Sequence, residues 1–389
     1  MNYDTQLCLI SAQATPNLIA ALDEQWRPRR IVLATSTEMR ENAKYLENVL
    51  KKRGIIVERL PIGDAYDYFS LYETFVNFLE RQTVGIALNI TGGTKIMAMA
   101  AQEAFRDSTK PVFYVNVKSD TVFQFGEGKL SATLSGKLGL ADFLEVHGYK
   151  FETGTRPAKP VITRDESDLT LRIVDGVELF GQALGELNLM AAQAKGSLQS
   201  NLDERQRHST NLQNLLDLFV EGRHLTRLSD AIRFSSEDSR VFVGGGWLEK
   251  HVAKTISDCA GTKNFTDYGS NIKIVAPNGT TLNEIDAAFL YQNTLHLIEC
   301  KAANLGNAGH SGDDKGTEAI YKLETLLKMG GLRTRGMLID YRGRLSVVRS
   351  EADRNRVEAN LSRAKAANIR IISGSAIKNL KTAIAQWIA

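Results

Sequence analysis

The sequence predicts an α/β protein with two structured ends and a helical middle. Three observations carry this. As far as Gly148, strand-length apolar runs alternate with helix-length stretches. Beyond it the chain turns polar and then helical in its spacing. From Arg240 onward strands and helices mix again, around one sharp hairpin. The length agrees, since 389 residues exceeds one ordinary domain of roughly 100–200. The boundaries fall at 1–150, 151–238 and 239–389.

In the first region, strands are expected at 6–10, 30–34, 55–60, 84–90 and 112–117. Helices are expected at 16–26, 38–52, 69–81 and 95–105. Pro16 suits a first helical turn, and Gly54 stops the second helix. Strands apolar on both faces, each followed by a helix, argue a parallel sheet covered on both sides. Runs at 121–125 and 129–133 read as a closing hairpin. Residues 151–170, with Pro157 and Pro160, read as a linker. Residues 177–220 read as helical, apart from a polar loop at 196–210.

The third region reads as strand 241–243, a Gly244–Gly246 turn and helix 247–256. A strand at 272–275 and a hairpin of 284–291 with 294–301 follow. A polar, glycine-rich loop at 305–316 precedes helix 317–329. Then come strands 335–339 and 344–348, helix 353–367, strand 369–372 and a last helix.

Composition narrows the function. Apolar residues at 43% and charged residues at 24% support packed cores, which excludes a disordered or fibrous chain. A net charge of +3 is too mild to argue for nucleic acid by itself. Cys8, Cys259 and Cys300 form no CxxC pair, so neither a disulfide framework nor a zinc site is expected. The expected home is a reducing cytoplasm. Residues 1–11 lack a basic n-region and an apolar h-region, and no run approaches the ~20 apolar residues of a membrane span.

The hairpin carries the sharpest chemical signal. If the turn centres between Gln292 and Asn293, Tyr291 pairs with Thr294, Asp286 faces Glu299 and Glu284 faces Lys301. Directly opposed Cβ atoms lie about 4.5–5.5 Å apart. Two carboxylates at that spacing need a proton or a cation between them. Mg²⁺ or Mn²⁺ answers this with oxygen ligands from Asp286, Glu299 and the Cys300 carbonyl. Lys301, on the face of Glu299, would orient water and offset phosphorane charge. An ExK triplet alone also fits a solvated face in which Lys301 pairs with Glu284. The mostly apolar strand LHLIECK and the upstream Asp286 weigh against that. Glu249, on a preceding helix, offers a further acid, whereas His296 faces the other way and reads as packed.

A second candidate site lies in the first region. Asn89-Ile90-Thr91-Gly92-Gly93-Thr94-Lys95 joins a strand to a helix, where parallel sheets bind ligands. Glycines admit close backbone approach, free N–H groups favour an anion, and Lys95 adds charge. The loop is neither GxxxxGK[ST] nor GxGxxG, so neither an NTPase nor a dinucleotide enzyme is indicated. Ser11-Ala12-Gln13 and Thr35-Ser36-Thr37 follow neighbouring strands. Their hydroxyls either meet ligand or cap the next helix, with Thr37 assigned to capping.

TGGTK after an apolar strand resembles the Rossmann-like CARF domains that sense cyclic oligoadenylates. NEID…IECK with the downstream YKLE resembles the restriction-endonuclease-like PD-(D/E)xK nucleases. Together they resemble the DUF1887 family, the CARF–nuclease effectors of type III CRISPR antiviral systems. That resemblance implies a cytoplasmic homodimer with a cyclic oligoadenylate, the tetramer by preference, bound across its two-fold axis. It implies ligand contacts at Ser11, Ala12 and Gln13 and at Thr91 to Lys95, beside which Thr35 remains a candidate by its strand-end position. It implies catalysis at Asp286, Glu299 and Lys301, with Glu284 and Glu249 as additions, and metal at Asp286, Glu299 and Cys300. A basic or polar residue among Lys315, Tyr321 and Lys322 is expected to approach the site. The implied activity is allosterically activated, metal-dependent cleavage of DNA or RNA. The alternatives are a ligand-sensing regulator whose nuclease fold no longer cuts, and an enzyme that degrades its own cyclic ligand.

Overall fold

The N-terminal sheet has seven strands: β1 (Thr5–Leu9), β2 (Arg30–Thr35), β3 (Ile56–Pro61), β4 (Ile86–Asn89), β5 (Val112–Asn116), β6 (Thr121–Phe125) and β7 (Ser131–Thr133). Their order is β3-β2-β1-β4-β5-β6-β7, parallel through β5 and antiparallel beyond. Helices α1 (Thr15–Leu22), α2 (Arg40–Lys52), α3 (Tyr68–Glu80), α4 (Lys95–Asp107) and α5 (Leu140–Val146) complete the region. Leu7 and Leu9 enter the core under α3 and α4, whereas Cys8 and Ile10 enter the core on the opposite face. That alternation is why both faces of β1 are apolar. The molecule is a computed structural model describing residues 3–125, 131–152, 159–277, 279, 282–302, 315–343, 345–348 and 351–389.

The middle region holds more structure than the sequence suggested. Strand β8 (Lys150–Phe151) joins the C-terminal sheet. Helix α6 (Arg164–Asp175) begins inside the expected linker, because Thr163 and Glu166 form a capping box. Helix α7 (Val177–Gln193) follows. The expected loop at 196–210 instead carries β9 (Gln199–Asn201) and α8 (Glu204–His208), the latter started by an Asp203–Gln206 capping box. Helix α9 (Thr210–Glu221) precedes β10 (Leu225–Arg227) and β11 (Ala231–Phe234), which form a three-stranded sheet with β9. Helix α10 (Glu237–Val241) runs on helically through Phe242 and Val243, so the expected strand at 241–243 is helix, and the chain kinks at Gly245 (φ 138°), within the expected glycine turn, before α11 (Trp247–Lys263). Phe242 and Val243 are buried against the middle helices, and Gly244 lets Ala191 approach closely.

The C-terminal sheet runs β16-β15-β14-β13-β12-β8. Its strands are β12 (Asp267–Val275), β13 (Leu282–Tyr291), β14 (Thr294–Lys301), β15 (Arg335–Asp340) and β16 (Ile369–Ser373). Helices α12 (Lys315–Leu327), α13 (Glu351–Ala366) and α14 (Leu380–Ile388) flank it. Of the loop expected at 305–316, residues 305–314 lie outside the described residues, and 315–316 already belong to α12. Residues 345–348 form no strand: buried Asp340 accepts the N–H groups of Arg342 and Leu345, turning the chain back.

The two sheets are not separate bodies packed loosely together. One continuous core joins Ile10, Phe113 and Phe143 of the first region to Ile272, Leu290, Leu295 and Met329 of the third. The hairpin tip adds a polar anchor, with Asn293 Nδ2 donating to the Val117 carbonyl at 3.3 Å. Asp267 likewise accepts the Leu140 N–H at 2.8 Å.

Candidate active site and ligand site

Gln292 and Asn293 both have positive φ, 48° and 53°, which closes β13 on β14 with a two-residue turn. Tyr291 pairs with Thr294 and the ladder runs to Ala287 with Ile298, the register expected from the sequence. Because side chains alternate, Leu295 and Leu297 share the face of Glu299, and Ala288 and Leu290 the face of Asp286. Helix α12 covers that face through Ala319, Ile320 and Leu323.

Past Ala287 the link between strands passes through a side chain. Asp286 Oδ2 accepts the Cys300 N–H at 2.7 Å. Glu299 is 1% exposed, and both its oxygens are engaged. Lys301 Nζ donates to Oε1 at 2.6 Å, and Lys322 Nζ on α12 lies 2.8 Å from each oxygen. So Lys301 pairs with Glu299 and not with Glu284, which lies exposed and pairs in register with Lys273 of β12.

The electrostatics identify which groups sense one another. Burial, then the Glu299 charge, push the Asp286 carboxyl above the usual carboxylate range. Glu249, from α11 in the layer on the other face, is pushed up to about 7 by burial and then by Asp286 and Glu284. Burial disfavours the Lys301 ammonium, but Glu299 more than offsets this and its pKa is raised. The Cys300 thiol lies buried in the core on the α11 side and is pushed well above its ordinary value, first by burial. His296 is packed between Phe289 and Trp387, with ring centroids 4.6 and 4.8 Å away.

The structure thus brings together Glu249, Asp286, Glu299 and Lys301, with Glu284 at the margin. Lys322 joins them. Tyr321 instead lies exposed, with the Arg363 guanidinium over its ring. Nothing is described of the Lys315 side chain. Among the described residues no three His, Cys, Asp or Glu groups stand as a preformed metal cluster. The donor set nevertheless suits a hard cation. Its groups are carboxylates, and Asp286 and Glu249 are raised first by burial and then by neighbouring carboxylates, whose repulsion a cation would relieve.

At the other site, β1, β2 and β4 end beside a cavity of about 310 Å³. Ser11, Ala12, Gly93 and Thr94 line it, with Ser36, Glu38, Asp64 and Tyr66 opposite. Gly92 is obligatory, since a Cβ there would stand 2.0 Å from the Leu9 carbonyl oxygen. Gly93 has φ +74°, which favours glycine. Thr94 caps α4 by accepting the Met97 N–H at 3.1 Å, and donates to the Ala65 carbonyl at 2.8 Å. Thr91 Oγ1 accepts the Val115 N–H at 2.8 Å and donates to Asn89 Oδ1 at 2.7 Å. Thr35 is buried and bonded to the Leu33 carbonyl, and Lys95 is exposed. Ser36, not Thr37, occupies the cap position of the short helical turn Thr37–Met39. Gln13 lies against Gly331 of the third region and is not among the cavity's lining residues. Sequence reasoning missed Asp64 and Tyr66, which follow β3 at the same sheet edge. Their position after a strand end was the available signal.

Residues 5–143 match the Card1 CARF domain family, and residues 236–389 match the Card1-like endonuclease domain family. The chain belongs to the family that joins a Card1-type CARF domain to a Card1-like endonuclease domain. Protein VC1899 from Vibrio cholerae superposes with a TM-score of 0.84 at 24% identity, over 99% of this chain and 97% of that one. Can2 from Sulfobacillus thermosulfidooxidans, solved in complex with cyclic tetra-adenylate, gives 0.79 at 24% identity over 100% of both chains. A type III CRISPR defence DNA nuclease activated by cyclic oligoadenylate gives 0.55 at 19% identity, over 87% of this chain and 45% of that one. At these identities the likeness is one of fold. Comparison with curated proteins found no match. Among the described residues, no helix of this CARF–nuclease chain is long and apolar enough to cross a membrane.

Proposed function

We propose that this CARF–nuclease chain is a phosphodiesterase that depends on Mg²⁺ or Mn²⁺ and is switched on by a cyclic oligoadenylate. It acts as a cytoplasmic homodimer on DNA or RNA in type III CRISPR defence. The observation that carries the reading is the convergence of Glu249, Asp286, Glu299 and Lys301 at one strand end of the endonuclease domain. The structural likeness to Can2 solved with cyclic tetra-adenylate supports that ring as activator.

A bound divalent cation would supply an activated water and neutralise charge developing on the phosphate. Asp286 and Glu299, with the Cys300 carbonyl, would hold it. Lys301 keeps its positive charge through its contact with Glu299 and faces the phosphate side of the site. The Cys300 N–H fixes the Asp286 carboxylate, so its second oxygen has a defined direction. Glu249 changes protonation near neutral pH and suits proton exchange with the leaving group or with water. At the other site the cavity beside Gly93 and Thr94 would receive part of the ring in each protomer, about the size of a small ligand pocket.

One observation favours a second reading, a ligand-binding regulator with a silent nuclease fold: both Glu299 oxygens are engaged by lysines. A single experiment separates the two. Purified protein is assayed with Mn²⁺ or Mg²⁺ on labelled single- and double-stranded DNA and RNA, with and without cyclic tetra- or hexa-adenylate. Cleavage requiring both metal and one ring size is expected. Ring binding with no cleavage of any substrate would move the assignment to the regulator.

A further inference from the structure

Gln13 and Lys322 lie in different domains, yet a short series of contacts joins them. The Ser11–Gln13 loop leaves β1, and Ser11 and Ala12 line the ligand cavity. Gln13 turns the other way. Its amide is packed so tightly on Gly331 that a Cβ there would stand 2.2 Å from Nε2. Gly331 adopts φ 69°, ψ −152°, a conformation open essentially to glycine. Its neighbour Gly330 is crowded by Thr334 Oγ1 and, at 2.9 Å from where a Cβ would stand, by the Phe143 ring of the CARF domain. These two glycines lie just past α12, in the turn Lys328–Arg333. Helix α12 is locked into the shared core by Ala319, Ile320, Leu323 and Leu326, and it carries Lys322 onto Glu299.

A packed helix moves as a unit, because close-packed interiors transmit displacement instead of absorbing it. Through the Gln13–Gly331 contact, a displacement of the Ser11–Gln13 loop would be passed to α12. We propose that Gln13 is a positioning residue, which couples the ligand loop to Glu299 through Gly331, α12 and Lys322. In the resting arrangement Lys322 occupies both Glu299 oxygens. With ligand bound, α12 withdraws Lys322 and frees Glu299 Oε2, the oxygen that Lys301 does not hold, for a divalent cation. The inference rests on the reading of both sites given above and names the residues that link them.

Linkage supplies the test, since a ligand that raises metal affinity by some factor must have its own affinity raised by metal by the same factor. Mn²⁺ affinity is measured by calorimetry on the full chain, with and without cyclic tetra-adenylate. In the unaltered protein the ring is expected to tighten Mn²⁺ by about 5–150-fold, the usual range of coupling between sites. Gln13→Ala should still bind the ring but reduce that ratio to below about 2-fold. Gln13→Met, which keeps the length that reaches Gly331, should restore it. Lys322→Met should bind Mn²⁺ as tightly without the ring as the unaltered protein does with it.

An unchanged ratio in Gln13→Ala overturns the coupling role while leaving both sites standing. Loss of ring binding in Gln13→Ala makes Gln13 a ligand contact and also overturns it. Failure of the unaltered protein to bind any ring or any Mn²⁺ sinks the reading of the sites themselves, and the coupling with it.

Discussion

The two sites of this chain are built on opposite principles. At the CARF edge, the threonines near the cavity are engaged by the fold itself. Thr91 ties β4 to β5, Thr94 caps α4, and Thr35 bonds its own strand. What remains for a ligand is backbone, two glycines and the polar side chains that line the cavity from the other edge, Glu38, Asp64 and Tyr66. At the nuclease strand end, carboxylates crowd together in a buried setting at electrostatic cost. The first site is a receptor whose threonines stabilise the fold. The second holds groups that the fold would be more stable without, which is the usual mark of a site kept for chemistry.

The contrast breaks most visibly at Glu299 and Lys301. Replacing either by alanine should lower cleavage by roughly 10³-fold or more, the scale of losing one electrostatic group in a preorganised site. Affinity for cyclic tetra-adenylate, measured by calorimetry, should stay within about 2-fold, because neither residue touches the CARF cavity. Cleavage at the normal rate in either variant would remove that residue from the catalytic set.

Glu249 sharpens the comparison through pH. Its folded pKa of about 7 exceeds the ordinary 4.5, so folding favours its protonated form. The stabilisation is fully present below the unfolded value and is lost as pH rises through about 7. The expected loss is about 3 kcal/mol at most, at 1.36 kcal/mol per unit. Metal-free protein should therefore melt at lower temperature at pH 8 than at pH 5.5. Glu249→Gln should reduce that difference, leaving the part that the raised Asp286 contributes, and stabilise the protein at pH 8, while impairing cleavage. A melting profile that keeps its slope in Glu249→Gln would assign the pH dependence elsewhere.

The same contrast explains what the sequence could convey. The hairpin register was legible because two rules agree at Gln292-Asn293: the period of two and the two-residue turn. The edge at Thr91 to Lys95 was legible because parallel sheets bind ligands at strand ends. Strands of three or four residues in β9, β10 and β11 show too little alternation to be read. The capping boxes at Thr163 and Asp203 were readable signals that went unused. The helical conformation of Phe242 and Val243, before the kink at Gly245, was not, because an apolar pair before three glycines fits a strand as well as a helix. Nor could spacing reveal that Gln13 turns toward Gly331, since that contact is made across domains.

The smallest effect concerns Thr91, and it decides whether the receptor's threonines serve the fold as the contrast claims. Its hydroxyl was a candidate ligand contact, yet it already accepts the Val115 N–H and donates to Asn89. Thr91→Val keeps the shape and leaves that N–H without its acceptor, at a cost of about 1–3 kcal/mol. A lowered melting temperature is expected, with ring affinity changed by less than about 3-fold, since the lost bond joins β4 to β5 and not protein to ligand. An affinity loss of tenfold or more at unchanged melting temperature would mean that Thr91 exchanges its internal partners for the ring. The CARF edge would then be an adaptable surface, closer in kind to the nuclease end than its resting hydrogen bonds suggest.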